Sequence, residues 1–289
     1  MKKTVILSAL IMLSYAEANA QMYAGAGIGY GVPATNAVLG VNHENNNPAG
    51  TFSNENVYGS YGSGANFAGY VGYWFSDIVG AELGVNYLVG KTYTFMDNSI
   101  NNSNVSDYVS DDISARSLRL DPAIRIGLGH GDVHPYVLGG LSFGFANRII
   151  NDRNETFENP SVRDLSASSL EYSGGMSLGM FTALGMNVHI SEHLMLNAEL
   201  SNYSARWSPV KADYTSVTFN GADQLDGMTT SEKHFLFVDR VDQTMNTSAG
   251  EPTKMLREFF PMNAVGLTVG IHYDFGSTAP KATTPMPAQ

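Results

Sequence analysis

Two sets of side chains in this sequence could do chemistry. Glu82, Asn86, Arg119, Asp121, Arg125 and Glu199 lie in three short stretches where aliphatic residues take every second position. In a strand, successive side chains point to opposite faces, so each stretch sends these polar groups to the side its aliphatic residues avoid. If the stretch 79–90 runs antiparallel to 118–129 with Glu82 opposite Arg125, then Asn86 falls opposite Asp121 and Leu88 opposite Arg119. Acids and bases then meet as a ladder. Such a ladder either plugs a narrow interior and satisfies its buried polar groups, or lines a gated path. The second set is His134, His189 and His272, which alternation aims to that same inner side near strand ends, with His130 and His193 close by in the chain. Imidazoles that converge to about 2 Å from an ion bind zinc or copper. The plain alternative is a set of solvated rim residues. No cofactor is expected.

The elements that must position these groups are strands. The run 265–275, VGLTVGIHYDF, puts Val265, Leu267, Val269, Ile271, Tyr273 and Phe275 on one face, with Gly266, Thr268, Gly270, His272 and Asp274 on the other. One face is apolar throughout and ends in two aromatics; the other is small and polar. Seven more runs share this grammar, at 22–31, 66–75, 79–90, 118–129, 133–145, 176–190 and 194–203. Glycines on the inner faces make room in a narrow interior. Between the runs the connections alternate long and short. The long ones, 32–64, 97–115, 147–173 and 205–258, are rich in Asn, Ser and Gly, and the first reads as solvated and mobile. Within the last, SVTF and HFLFV could extend neighbouring strands. The short ones are 76–78, 129–132 and 190–193.

Composition narrows the setting. Lys2 and Lys3, an apolar run and Ala18-Asn19-Ala20 make a secretory signal peptide over 1–20, with cleavage after Ala20. No other apolar run is long enough for a membrane helix, so membrane residence would have to come from strands. The 289 residues include no cysteine, 30 glycines, 15 tyrosines and 14 phenylalanines. That excludes disulfide staples and thiolate metal sites and points to an all-β chain. The formal charge of −11 becomes −12 once Lys2, Lys3 and Glu17 leave with the leader, which argues against nucleic acid as a partner.

The sequence therefore predicts an eight-stranded antiparallel transmembrane up-and-down β-barrel over 21–275, with long extracellular loops and short periplasmic turns. Tyr73, Phe75, Tyr273 and Phe275 fall at one end of the strands and Tyr30, Tyr87, Phe143 and Phe145 at the other, as two interfacial belts. A soluble ligand barrel would need the reverse polarity, an apolar interior and a charged exterior. Gly270, Tyr273 and Phe275 match the closing-strand assembly signal of bacterial outer-membrane barrels, and 21–275 resembles the small OmpA/OmpX-type family. The MKK start and the Ala-Gln junction resemble outer-membrane barrel proteins of Bacteroidetes-type bacteria. The Pro/Thr/Ala-rich stretch 276–289 is similar to the hinge after the OmpA barrel, but the chain then stops, so peptidoglycan attachment is not carried over. The resemblance implies outer-membrane lipid, lipopolysaccharide and the outer-membrane assembly machinery as partners, a monomer, and a Gram-negative outer-membrane location. Loops on a rigid scaffold point to a structural or surface-binding role with a host or surface ligand rather than an enzyme. The alternatives are a narrow gated pore and a lipid A-modifying enzyme. Such enzymes place a histidine with a serine, or a charged pair, near the outer rim, whereas the strand-borne histidines here lie at the other one.

Overall fold

A computed structural model describes residues 21–275 apart from 103–104, 129–131, 243–244 and 247. The leader, the tail 276–289 and His130 lie outside the described residues. The strands, in chain order, are β1 (Gln21–Val32), β2 (Ala37–Asn46), β3 (Thr51–Gly59), β4 (Gly64–Trp74), β5 (Val79–Gly90) and β6 (Tyr93–Asn102). They continue as β7 (Val105–Gly127), β8 (Val133–Glu158), β9 (Arg163–Ser173), β10 (Ser177–His189), β11 (Leu194–Trp207) and β12 (Lys211–Phe219). The last are β13 (Ala222–Asp223), β14 (His234–Val238), β15 (Thr253–Leu256), β16 (Phe260–Pro261) and β17 (Ala264–Asp274).

All 17 strands belong to one sheet. Going round, β1 pairs with β4, β4 with β5, β5 with β7, β7 with β8, β8 with β10, β10 with β11 and β11 with β17, every pairing antiparallel. β17 then pairs back with β1, from Tyr23↔Asp274 to Val32↔Val265, so the path closes. Closure leaves no edge among these strands, which is how a sheet buries its own backbone polar groups.

The other strands correct the expectation of eight. β2 and β3 form a hairpin within 32–64, β6 pairs with the upper part of β7, and β9 joins β8 to β12. β7 and β8 run for 23 and 26 residues, far beyond the roughly 9–11 that cross a bilayer, and they carry this second tier of sheet. The long connections are thus stranded rather than shapeless. They bury a few scattered residues on one face, such as Tyr93, Phe95, Val109 and Ile149, among many polar ones, so no long alternation of hydrophobicity marks them. SVTF lies in β12 and HFLFV is β14, in line with their reading as strand extensions.

Polarity is inverted relative to a soluble protein. Leu200, Val269 and Ile28 are more than half exposed on the outer wall, while Arg125 is 1 % and His272 2 % exposed inside. Each strand keeps the face assignment read from its sequence up to the rim. There a bulge intervenes on β8, where Ala146 has φ +48° and the register with β7 shifts between Arg116 and Leu118. Below it Tyr136, Leu138 and Ser142 are buried; above it the parity flips and Asn147 and Ile149 are buried.

Candidate functional site: the filled lumen

The lumen is built by pairing large residues with absent ones. Tyr23 lies directly across from Gly72, Tyr70 across from Gly25, and Tyr136 across from Gly185. A β-carbon on any of these three glycines would overlap the facing tyrosine ring. The glycines therefore let each ring lie over the neighbouring strand and fill an interior too narrow for two side chains.

Arg125 sits within this aromatic shell. Its Nη1 donates to Glu82 Oε2 at 2.7 Å, and Tyr23 donates its hydroxyl to the same oxygen at 3.1 Å. The guanidinium carbon is 3.6 Å from the Tyr136 ring centre, 4.9 Å from that of Tyr23 and 5.7 Å from that of Trp74. Nε and Nη2 of Arg125 make no hydrogen bond, and the ring faces are what meet them. Further up, Asn86 Nδ2 donates to Asp121 Oδ2 at 2.5 Å and Ser142 donates to Oδ1, tying three strands through one carboxylate. Arg119 stacks on Tyr203 at 4.0 Å. On the far wall Tyr136 donates to Glu199 at 3.0 Å and accepts from Asn197 at 2.7 Å, and Asn197 also donates to Asn187 at 2.7 Å.

The expected ladder is present with its register corrected. Opposite Glu82 stands Ala123, not Arg125; Gly80 faces Arg125, Gly84 faces Asp121, Asn86 faces Arg119 and Ser117 faces Leu88. The slip is two residues, so every side chain keeps its face. Glu82–Arg125 and Asn86–Asp121 still meet because long side chains reach the diagonal neighbour. Pairing by charge alone could not tell a direct partner from a diagonal one.

Of the three candidate metal ligands the structure brings together two. His134 Nε2 and His189 Nε2 are 3.0 Å apart at the end bearing the short turns. His272 is elsewhere: its Nδ1 meets the Tyr70 hydroxyl and its Nε2 meets Asp274, both at 3.1 Å, and its ring stacks on Tyr23 at 4.9 Å. Among the described residues no group of three or more His, Asp or Glu is placed to hold a metal ion. The shared face was right, but β17 is three strands round the ring from β8 and two from β10, so His272 does not reach the pair.

The opposite end of the lumen is closed by apolar packing that the sequence reading missed. Tyr61, Leu88, Ile149, Trp207 and Met262 cluster with less than a twentieth of their surface exposed, and Phe260 packs against them. Ser60 to Ser63 fold inward over them. Tyr61 N–H donates to Pro261 O at 3.0 Å, and the hydroxyls of Ser63 and Tyr93 are 2.7 Å apart. This corrects the reading of 32–64 as wholly solvated. Between this cap and the Arg125 shell, voids of about 40 and 20 Å³ remain, each bordered by Asn66, Arg119, Tyr203 and Thr268. They are room for a few waters at most.

A closed antiparallel ring with apolar residues outside and a polar, filled interior defines a β-barrel of the outer-membrane class. The chain belongs to the family described as outer membrane protein beta-barrel domain, whose model matches residues 4–231. Among solved structures it is similar to the outer membrane protein OprG from Pseudomonas aeruginosa, with 11 % identity, 90 % of this chain and 97 % of that one covered, and a TM-score of 0.39. It is also similar to CarO2 from Acinetobacter baumannii, with 14 % identity, 88 % and 99 % covered, and a TM-score of 0.32. No curated protein sequence matches it.

Proposed function

We propose that the ring of β1, β4, β5, β7, β8, β10, β11 and β17 is an eight-stranded transmembrane barrel of a Gram-negative outer membrane. In this reading 1–20 is the cleaved leader, the short turns are periplasmic and the second tier of sheet stands outside the cell. The role is structural or surface-binding: the barrel anchors and the stranded outer tier presents a recognition surface, with no catalytic step. The observation that carries this reading is the filled lumen. The Arg125 shell and the Trp207 cap occupy its two ends, which supports a plugged barrel over a gated pore. The test is reconstitution of the purified protein in planar bilayers, where the proposal expects no stepwise conductance. Stable conducting steps would move the assignment to the pore. In the same reading Gly270, Tyr273 and Phe275 are the assembly signal. Phe275→Asp should then reduce the heat-modifiable, inserted fraction far more than deletion of 276–289, and equal insertion of the two variants would refute the role.

A further inference from the structure

We infer that the mouth of the barrel bearing the short turns holds a copper site, formed by His134 of β8, His189 of β10 and Met195 of β11. His134 lies directly across from Asn187, so His189 is its diagonal neighbour, and the two Nε2 atoms approach to 3.0 Å. Two imidazolium ions would repel each other at that distance, so at least one ring is neutral, the form that binds metals. Nδ1 of His189 lies 3.4 Å from Ser191 O. A carbonyl only accepts, so a neutral His189 carries its proton on Nδ1 and keeps a lone pair on Nε2, toward His134. Metal-ligating histidines are held in this way, through the ring nitrogen turned from the metal.

The spacing of the pair fits an ion. Two nitrogens about 2.0 Å from a metal are about 2.8 Å apart when they subtend a right angle and about 3.3 Å apart at the tetrahedral angle. Without a metal the two rings share one hydrogen bond, and an ion can take its place once His134 carries its proton on Nδ1.

Met195 adds a sulfur. It is the direct partner of His189 in the register of β10 with β11, on the same inner face, and is 3 % exposed. Directly opposed side chains start about 4.5–5.5 Å apart at their β-carbons, and the three rotatable bonds of methionine let its thioether turn to the pair. On its other side Met195 faces His272, whose two nitrogens are taken up by Tyr70 and Asp274. With no cysteine in the chain, thioether and imidazole are its softest donors. Imidazole accepts zinc or copper, and the thioether tips the choice to copper(I). In the membrane orientation proposed above this mouth opens to the periplasm; binding itself does not depend on that orientation.

The test uses the full-length protein in detergent, without a histidine tag. Copper(I) is titrated anaerobically against a chromophoric chelator and zinc by calorimetry. The parent should bind one copper(I), more tightly than zinc. H134Q and H189Q should each lose more than about tenfold in affinity, since loss of an outer hydrogen-bond partner alone costs about ten- to a hundredfold. M195L should lose copper(I) affinity but keep the weaker zinc binding, and H43Q, in the outer tier, should match the parent. Copper(I) affinity unchanged in H134Q, H189Q or M195L would overturn the site, as would tighter binding of zinc. X-ray absorption of the copper-loaded parent needs no variant: sulfur bound to copper is expected, and its absence would contradict the site. Heat-modifiability reports separately on the barrel, so a folded parent that binds no copper sinks the site and leaves the membrane reading standing.

Discussion

In the half of the lumen next to the short turns, Arg125, Glu82 and Glu199 are held among tyrosines and asparagines. At the other end Trp207, Ile149, Leu88 and Met262 pack with no ion pair among them. Both fillings close the lumen, but they fail in different ways. An apolar plug that loses a side chain leaves a hole whose cost follows its volume and shape. A charged plug that loses one partner leaves an uncompensated charge, and removing the second partner takes that penalty away again. The polar end should therefore show strong coupling between pairs, and the apolar end strong single effects.

The largest expected effect is at the apolar end. Trp207 is fully buried and its Nε1 donates to Gly174 O at 3.0 Å, so Trp207→Ala should cost about 3–5 kcal/mol in urea unfolding from lipid. A loss below about 1 kcal/mol would mean that the cap is not packed as described. At the polar end, Glu82→Ala and Arg125→Ala should each cost up to about 3 kcal/mol, below the range for fully dry pairs because lumen water and Tyr23 soften the loss. The double variant should lose less than the sum by more than about 0.5 kcal/mol; additivity would mean that the 2.7 Å ion pair is not formed.

The smallest effect lies in the outer tier. Burial alone would raise the Asp213 carboxyl, but hydrogen bonds from Lys211 at 2.7 Å and from His234 at 2.7 Å outweigh it and hold its pKa below the ordinary value. A depressed folded pKa means the contribution is complete above the unfolded value near 4 and is lost as pH falls through the folded one. The carboxyl is partly exposed and screened by solvent, so the loss should be only about 0.2–1 kcal/mol. Amide protection factors in β12 and β14, corrected for the intrinsic rate, should fall below about pH 4 more in the parent than in Asp213→Asn. Identical acid profiles would remove Asp213 as the cause.

How much of this was legible follows from where the apolar surface points. The barrel strands face lipid, so period two is written plainly in segments such as 79–90 and 265–275, and every lumen charge was assigned to its proper face. The register was not, because Arg125 reaches Glu82 across a diagonal that charge matching reads as direct. The tyrosine shell was half visible: Tyr23 shares its face with glycines in the sequence, but only the pairing shows Gly72 opposite it. The Ala146 bulge has no signature, since alanine is not a turn residue, and it hid the inward turn of Ile149. Trp207 escaped because it lies where alternation was taken to have ended, although β11 runs on to it.

The central claim is that the ring crosses a membrane with the stranded tier outside and the short turns within. Single cysteines are free of background in a chain that has none. At Asn46, Asn154 and Asp226 they should react with an impermeant thiol reagent on intact cells. At Asp77 and Ser191 they should react only after the outer membrane is permeabilised. Protection of the first three, or labelling of the last two on intact cells, would contradict the account.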